Sequence, residues 1–179
     1  MAVRPLVIAP DERLNIASQK VEVVDDSVRA LLNDMLETMY ANDGIGLAAV
    51  QIGVHKRCIV VDVAVREGRN EPMKFINPEI IVRSDHDSVF QEGCLSFPDQ
   101  YSDVSRPESV VVRYLDETGT EKTLEATGIL ATCLQHEIDH INGVVFVDHI
   151  SKMKRDMILR KLKKAKKFGL IDEVPVRSN

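Results

Sequence analysis

Gln135-His136-Glu137-Ile138-Asp139-His140 stands in the middle of a stretch, residues 128–142, whose apolar positions recur at helical spacing. On a wheel of about 100° per residue, with Ile129 at zero, Leu130, Cys133, Leu134, Ile138 and Ile141 fall between about 40° and 180°. An arc that wide must face a core. His136 and His140 lie one turn apart at its edge, so both can reach one metal ion. Glu137 falls near about 80°, inside the arc, where a charge is costly unless it is paired or functional. A carboxylate beside a metal-binding histidine in a dry setting is how a general base is placed. Two surface histidines on an ordinary helix would show the same spacing, and it is the position of Glu137 that favours the metal. Ile129 and Cys133 share the histidine stripe and are expected to wall any pocket opening at the ion, Cys133 as a small apolar residue.

Outward from this helix, Val28, Leu31, Leu32, Met35, Leu36 and Met39 mark a second amphipathic helix. Asp25-Asp26-Ser27 open it and Asn42-Asp43-Gly44 close it. Residues 57–63, 75–82 and 109–115 read as strands, and the last is joined to 122–126 by a hairpin turn at Glu117-Thr118-Gly119. The central helix follows Gly128 and ends at Asn142-Gly143. A third helix follows Ser151, with Met153, Met157, Ile158 and Leu162 as its apolar side. Strands gathered between helices, without regular β-α alternation, predict an α+β fold. No repeat, low-complexity stretch or linker divides the chain, so residues 1–179 are expected to form one domain.

A chain of 179 residues can bury a core unaided, and 44% hydrophobic with 28% charged residues is ordinary for a globular protein. No apolar run nears the ~20 residues of a membrane-spanning helix. Met1-Ala2-Val3-Arg4-Pro5 leads directly into Asp11-Glu12-Arg13, which leaves no apolar core for a signal peptide. Cys58, Cys94 and Cys133 are odd in number and widely spaced, which points to a reducing compartment. The expected location is the cytoplasm. Residues 151–168 carry nine Lys/Arg and one acid, so the net charge of −5 divides into +8 there and −13 elsewhere. An acidic body with a basic tail suggests an anionic partner for the tail.

Catalytic metal sites keep three protein ligands and leave a position open for water. His55, His86 and His149 each stand among polar, surface-like neighbours. Cys94 is the better third candidate, within Gln91-Glu92-Gly93-Cys94-Leu95-Ser96-Phe97-Pro98, where Gly93 permits an unusual backbone angle and Pro98 ends the segment. Cys58 reads as a buried core cysteine. Gly44-Ile45-Gly46-Leu47-Ala48-Ala49-Val50-Gln51-Ile52-Gly53 suggests backbone packed close against something. It lacks the lysine of a phosphate-binding loop, and its GxG does not extend to GxGxxG.

Together the three segments resemble the peptide deformylases, whose signatures are GxGxAAxQ, EGCLS and HExDH. Here these are residues 44–51, 92–96 and 136–140, in that order. Pro10-Asp11-Glu12-Arg13-Leu14 and the basic C-terminal helix (151–168) are similar to bacterial members, so the resemblance spans nearly the whole chain. It implies antiparallel sheets packed around the central helix. It also implies an iron-dependent hydrolase that removes the formyl group from formylmethionine on newly made polypeptides, releasing formate. By that resemblance Cys94, His136 and His140 are the metal ligands and Glu137 is the acid/base. Gln51 and the backbone N–H of Leu95 are then the oxyanion donors. Ile45, Gly46 and Phe90 join Ile129 and Cys133 at the methionine side chain.

A thiolate and two neutral imidazoles suit Zn²⁺, Fe²⁺, Ni²⁺ and Co²⁺ alike, and the resemblance implies Fe²⁺ in the cell. Glu92 is a candidate ion-pair partner for Arg106. Two positions depart from the family. Tyr101 stands where many bacterial members carry an arginine that grips the substrate backbone, and Val50 where proline or threonine is common. For the basic tail the resemblance implies ribosomal RNA, without sequence-specific readout. A metallopeptidase with the same two histidines would take a downstream His or Glu as third ligand, and a closed structural metal site would need a fourth. The Cys94 segment argues against the first, and the second finds no further Cys or His near the motifs.

Overall fold

The apolar positions between Val28 and Met39 become α1 (Asp26–Ala41) in a computed structural model that describes residues 1–171. The last positions of the expected domain, 172–179, lie outside the described residues. Asp25 caps α1, its carboxylate accepting the Val28 N–H at 3.1 Å. The central helix, α2 (Gly128–Ile141), ends at Asn142 and Gly143, the latter at φ 77°. The basic helix, α3 (Lys152–Lys167), is capped by Ser151, whose Oγ accepts the Lys154 N–H at 3.3 Å.

Among the described residues, seven strands form two antiparallel sheets. β1 (Gly46–Ala48), β2 (Cys58–Val61), β3 (Met73–Arg83), β6 (Ser109–Leu115) and β7 (Glu121–Thr127) lie side by side in that order. β4 (Asp87–Cys94) and β5 (Phe97–Pro107) pair with each other as a separate two-stranded sheet. This is the α+β arrangement the sequence predicts, with the 117–119 turn joining β6 to β7.

β2 shows how the sheet is held. Its four residues are all buried, which an alternating half-exposed strand would not allow. Ile59 and Val61 pack with Leu134, Ile138 and Ile141 of α2, while Cys58 and Val60 pack with Leu32, Met35 and Met39 of α1. The sheet is therefore covered on both faces, and α2 lies between it and the β4–β5 arm. A third cluster joins Phe97 and Val104 of β5 to Phe146, Ile158 and Leu162, which docks α3.

Two sequence expectations change, at Pro98 and on α3, and one arm has no counterpart among the expected strands. The β4–β5 arm has no clear apolar alternation, because its inward face is Ser88, Phe90, Glu92 and Cys94. Pro98 lies inside β5, and the chain turns earlier, at Leu95-Ser96. On α3 only Ile158 and Leu162 are buried, whereas Met153 and Met157 are 79% and 48% exposed. Ile158 and Leu162, an i, i+4 pair, join the cluster of Phe97, Val104 and Phe146, with Leu159 partly buried beside them, and the methionines lie outside it. No helix among the described residues is long and apolar enough to cross a membrane.

Leu134 is fully buried at the centre of the α2–sheet contact. Leu134→Ala is expected to lower the unfolding free energy by about 2–5 kcal/mol. Met153→Ala, on the exposed flank, should stay within about 0.5 kcal/mol. Urea unfolding monitored by circular dichroism reads both values.

Candidate active site

Cys94 closes β4, and its Sγ stands 3.2 Å from His140 Nε2. Ligand atoms of Cys94, His136 and His140 all lie within 4.8 Å of one another, both histidines being buried and the cysteine half-buried. His136 Nδ1 donates to Glu92 Oε1 at 2.8 Å. A carboxylate can only accept, so Nδ1 carries a proton, and Nε2 is the nitrogen that an ion would take by displacing the second ring proton. Glu92 is itself gripped by Arg106, whose Nε and Nη2 reach its two oxygens at 2.6 and 3.0 Å. Burial works against the Glu92 charge, yet His136 and Arg106 together pull its carboxyl down to about 2. The expected Glu92–Arg106 pair is present, and it braces His136 as well as the strand that bears Cys94.

The electrostatics fit a divalent ion at these three residues. Burial, with the neighbouring His136 charge, holds the His140 pKa well below its ordinary value, so His140 is neutral. Burial also opposes a charge on His136, but Cys94, Glu92 and Glu137 outweigh it and hold that pKa well above the ordinary range. The protein alone thus stabilises one positive charge among these groups, which is the charge that a bound cation supplies. Thiolate and imidazole donors are those that Zn²⁺, Fe²⁺, Ni²⁺ and Co²⁺ share.

Glu137 follows His136 on α2 and is 4% exposed. Burial pushes its carboxyl up to about 7, with the His136 charge pulling the other way. Its Oε2 has no hydrogen-bond partner among the described residues. β1 runs directly over it. A Cβ added at Gly46 would stand 2.5 Å from Glu137 Oε1 and 2.8 Å from Cys133 Sγ. The glycine-rich segment is therefore packed against the carboxylate of α2, as its small residues suggest. Beyond β1, Gln51 is oriented from both ends. Its Oε1 accepts the Ala48 N–H at 2.9 Å, and its Nε2 points to Cys94 Sγ at 3.4 Å and Ser96 Oγ at 3.2 Å. Leu95 lies in the β4–β5 turn, and its N–H takes no backbone partner among the described residues.

A cavity of about 830 Å³ opens onto this cluster, lined by Ile45, Gly46, Phe90, Ile129, Cys133 and Glu137 among others. Every site residue expected from the sequence is thus gathered around one opening or in the metal-capable group at its floor. His55, His86 and His149 are not among the metal-capable group, and His149 bonds Asp139 instead, at 2.7 Å. Gly93 serves a different purpose from the one predicted. It has no left-handed φ; an added Cβ would stand 2.5 Å from Tyr101 Cε1, so the glycine makes room for the ring across the hairpin. Tyr101 is 62% exposed and lines the cavity mouth. Sequence reasoning missed Phe146, whose ring stacks on His136 at 6.1 Å and 24°. It also missed Asp139 as a partner of Arg106, at 2.8 Å. Neither has a sequence signal, since the partners lie on different elements, ten positions apart for Phe146 and 33 for Asp139.

A family model described as Polypeptide deformylase matches residues 3–156. The peptide deformylase of Agrobacterium fabrum is 56% identical over 166 residues, 92% of this chain and 97% of that protein. That of Rhizobium meliloti is 53% identical over 167 residues, 93% of this chain and 96% of the relative. The crystal structure of peptide deformylase from Ehrlichia chaffeensis matches with a TM-score of 0.89 at 45% identity, covering 95% of this chain and 100% of the other. A structure of the Ehrlichia chaffeensis enzyme in complex with actinonin also matches with a TM-score of 0.89, at 48% identity, covering 93% and 99%.

The three thiols should differ sharply in reactivity. Burial pushes Cys58 up to about 12 and raises Cys133 well above the thiol range, while Cys94 is half-buried at the cavity. Ellman's reagent should therefore find one fast thiol in the native metal-free protein. Peptide mapping should place it at Cys94, and added Zn²⁺ should suppress it. Fast reaction at Cys58 or Cys133 would contradict the geometry.

Proposed function

The chain belongs to the peptide deformylase family, enzymes that remove the formyl group from N-terminal formylmethionine, and we propose how its own residues carry out that hydrolysis. Glu137 is the observation that carries the assignment. It is a buried carboxylate with an unpartnered oxygen, one residue from His136 and beside the Cys94–His136–His140 cluster. Cys94, His136 and His140 would hold the divalent ion. When bound there, the ion supplies Lewis acidity, polarising a carbonyl and making water easier to ionise.

Glu137 takes the proton of the attacking water and returns it to the departing nitrogen, so that formate leaves with a free methionine amine. A carboxyl raised toward neutrality exchanges a proton in either direction at little cost. As the formyl carbon becomes tetrahedral, charge gathers on its oxygen. The Gln51 Nε2–H and the Leu95 N–H are the donors for it; Ala48 holds the other end of the Gln51 amide in place while one Nε2–H turns from its present acceptors, Cys94 and Ser96, to the oxyanion. Ile45, Gly46, Phe90, Ile129 and Cys133 take the methionine side chain, an apolar recess suited to a flexible thioether. With Tyr101 at the mouth, the substrate backbone meets an aromatic hydroxyl in place of a guanidinium.

The enzyme acts on formylated nascent peptides. In the cell we assign Fe²⁺ to the site, the cytoplasm as its location and one domain to the whole chain. The exposed lysines and arginines of α3 are a surface for ribosomal RNA, where phosphate contacts give affinity without sequence readout.

Glu137→Ala should lower formate release from a formyl-Met peptide by about 10²–10⁴-fold while metal content stays at the parent level. Metal analysis and a formate assay on the same anaerobic preparation read both. Full activity in the variant would remove Glu137 from the reaction. Reversing Arg160, Lys163, Lys164 and Lys167 to Glu leaves the buried Ile158 and Leu162 in place. That variant should lose ribosome co-sedimentation and its salt dependence. Unchanged binding would exclude α3 as the contact.

A further inference from the structure

Asp139 is the fourth residue of the helical motif, and it does not line the cavity. Its Oδ2 accepts two hydrogen bonds, from Arg106 Nη1 at 2.8 Å and from His149 Nε2 at 2.7 Å. Arg106 uses its other edge on Glu92, so the guanidinium lies clamped between carboxylates from β4 and α2. Its side chain is 5% exposed, and water cannot replace a partner it loses. Glu92 then orients the ring of His136.

The outer end of this string is its open end. Asp139 and His149 have side chains 24% and 35% exposed, against 5% for Glu92 and Arg106. Water competes for Asp139 unless His149 holds it. His149 is well placed to do so, because it ends the 3-10 helix Phe146–His149, which is itself tied down. Asp148 Oδ2 accepts the Val145 N–H at 3.0 Å, and its Oδ1 pairs with Arg155 of α3 at 3.2 Å. Phe146, at the other end of the same short helix, stacks on His136. One four-residue element therefore reaches the same ligand by two routes, one apolar and direct, the other polar and through three side chains.

We propose that His149 is a positioning residue for the metal ligand His136, acting through Asp139, Arg106 and Glu92. The proposal rests on the assignment of Cys94, His136 and His140 as the ligands. Its hydrogen bond keeps the Asp139 carboxylate on Arg106, and with it the angle at which the His136 Nε2 lone pair faces the ion. Because Asp139 accepts, His149 carries its proton on Nε2. A glutamine amide at this position can donate from a similar reach, whereas phenylalanine fills the space without donating.

The test uses Co²⁺-loaded parent, His149→Ala, His149→Phe and His149→Gln. Cobalt release to excess chelator is followed by loss of the thiolate-to-cobalt absorption, alongside kcat, KM and the melting temperature. Partners of a ligand histidine typically change metal affinity by about 10- to 100-fold, and a residue three links further out by less. The Ala and Phe variants should release cobalt about three- to tenfold faster and lose kcat while KM holds, at a melting temperature near the parent's. The Gln variant should keep the parent's release rate. Parent-like release in His149→Phe would overturn the proposal. So would equal losses in His149→Gln and His149→Phe, or release rates that merely follow the melting temperature. Stoichiometric cobalt binding by the parent tests the ligand assignment separately.

Discussion

Burying the carboxylate of Glu92, with its side chain 5% exposed, would cost several kcal/mol if its oxygens were left unfilled, and they are filled from two directions. Arg106 approaches along the hairpin from β5, and the Nδ1–H of His136 approaches from α2. The two elements that must meet to form the site, the arm bearing Cys94 and the helix bearing both histidines, are thus joined through one charged group. Removing either partner leaves the buried carboxylate short of a donor that water cannot replace, so the arm, the helix and the ring orientation of His136 depend on the same group.

The rest of the site follows from where α2 lies. Its apolar arc fills the space beneath the five-stranded sheet, and that places Glu137 in a dry layer against β1, with only the bare backbone of Gly46 between strand and carboxylate. A side chain on Gly46 would drive Glu137 from its place, so the small residues of this segment are a packing requirement before they are a catalytic one. The same closeness brings Gln51 to Cys94, because the turn after β1 carries the amide back over the hairpin. Gln51, Cys94 and the His136–Glu137–His140 group come from three stretches far apart in sequence, and the sheet order and the Glu92 tie bring them to one opening.

Much of this was legible in the residues. The wheel through Ile129 placed His136, His140 and Glu137 relative to the core, and the caps of α1 and α2 marked both helices to within a residue or two. The roles of Gln51 and Leu95 came from resemblance, since neither has a pattern of its own. What the sequence hid is of two kinds. The β4–β5 arm turns Ser88, Glu92 and Cys94 inward, a polar inner face that no hydrophobic alternation reveals. Gly93 reads as a conformational device until its cross-strand partner, Tyr101, is known. The string from His149 through Asp139 and Arg106 to Glu92 is made of pairs 10, 33 and 14 positions apart, and side-chain pairing at such irregular separations has no periodic signature. On α3, equal hydrophobicity among Met153, Met157, Ile158 and Leu162 conceals that only two of them find a surface to cover.

The central claim is that one thiolate and two imidazoles, drawn from the arm and from α2, hold a single divalent ion. X-ray absorption spectroscopy of the metal-loaded enzyme reads that ligand shell directly. With zinc in the site, the account predicts one sulfur neighbour at about 2.3 Å and two imidazole nitrogens at about 2.0–2.1 Å, with the sulfur lost in Cys94→Ala. A shell of nitrogen and oxygen alone, or one holding more than a single sulfur, would contradict it.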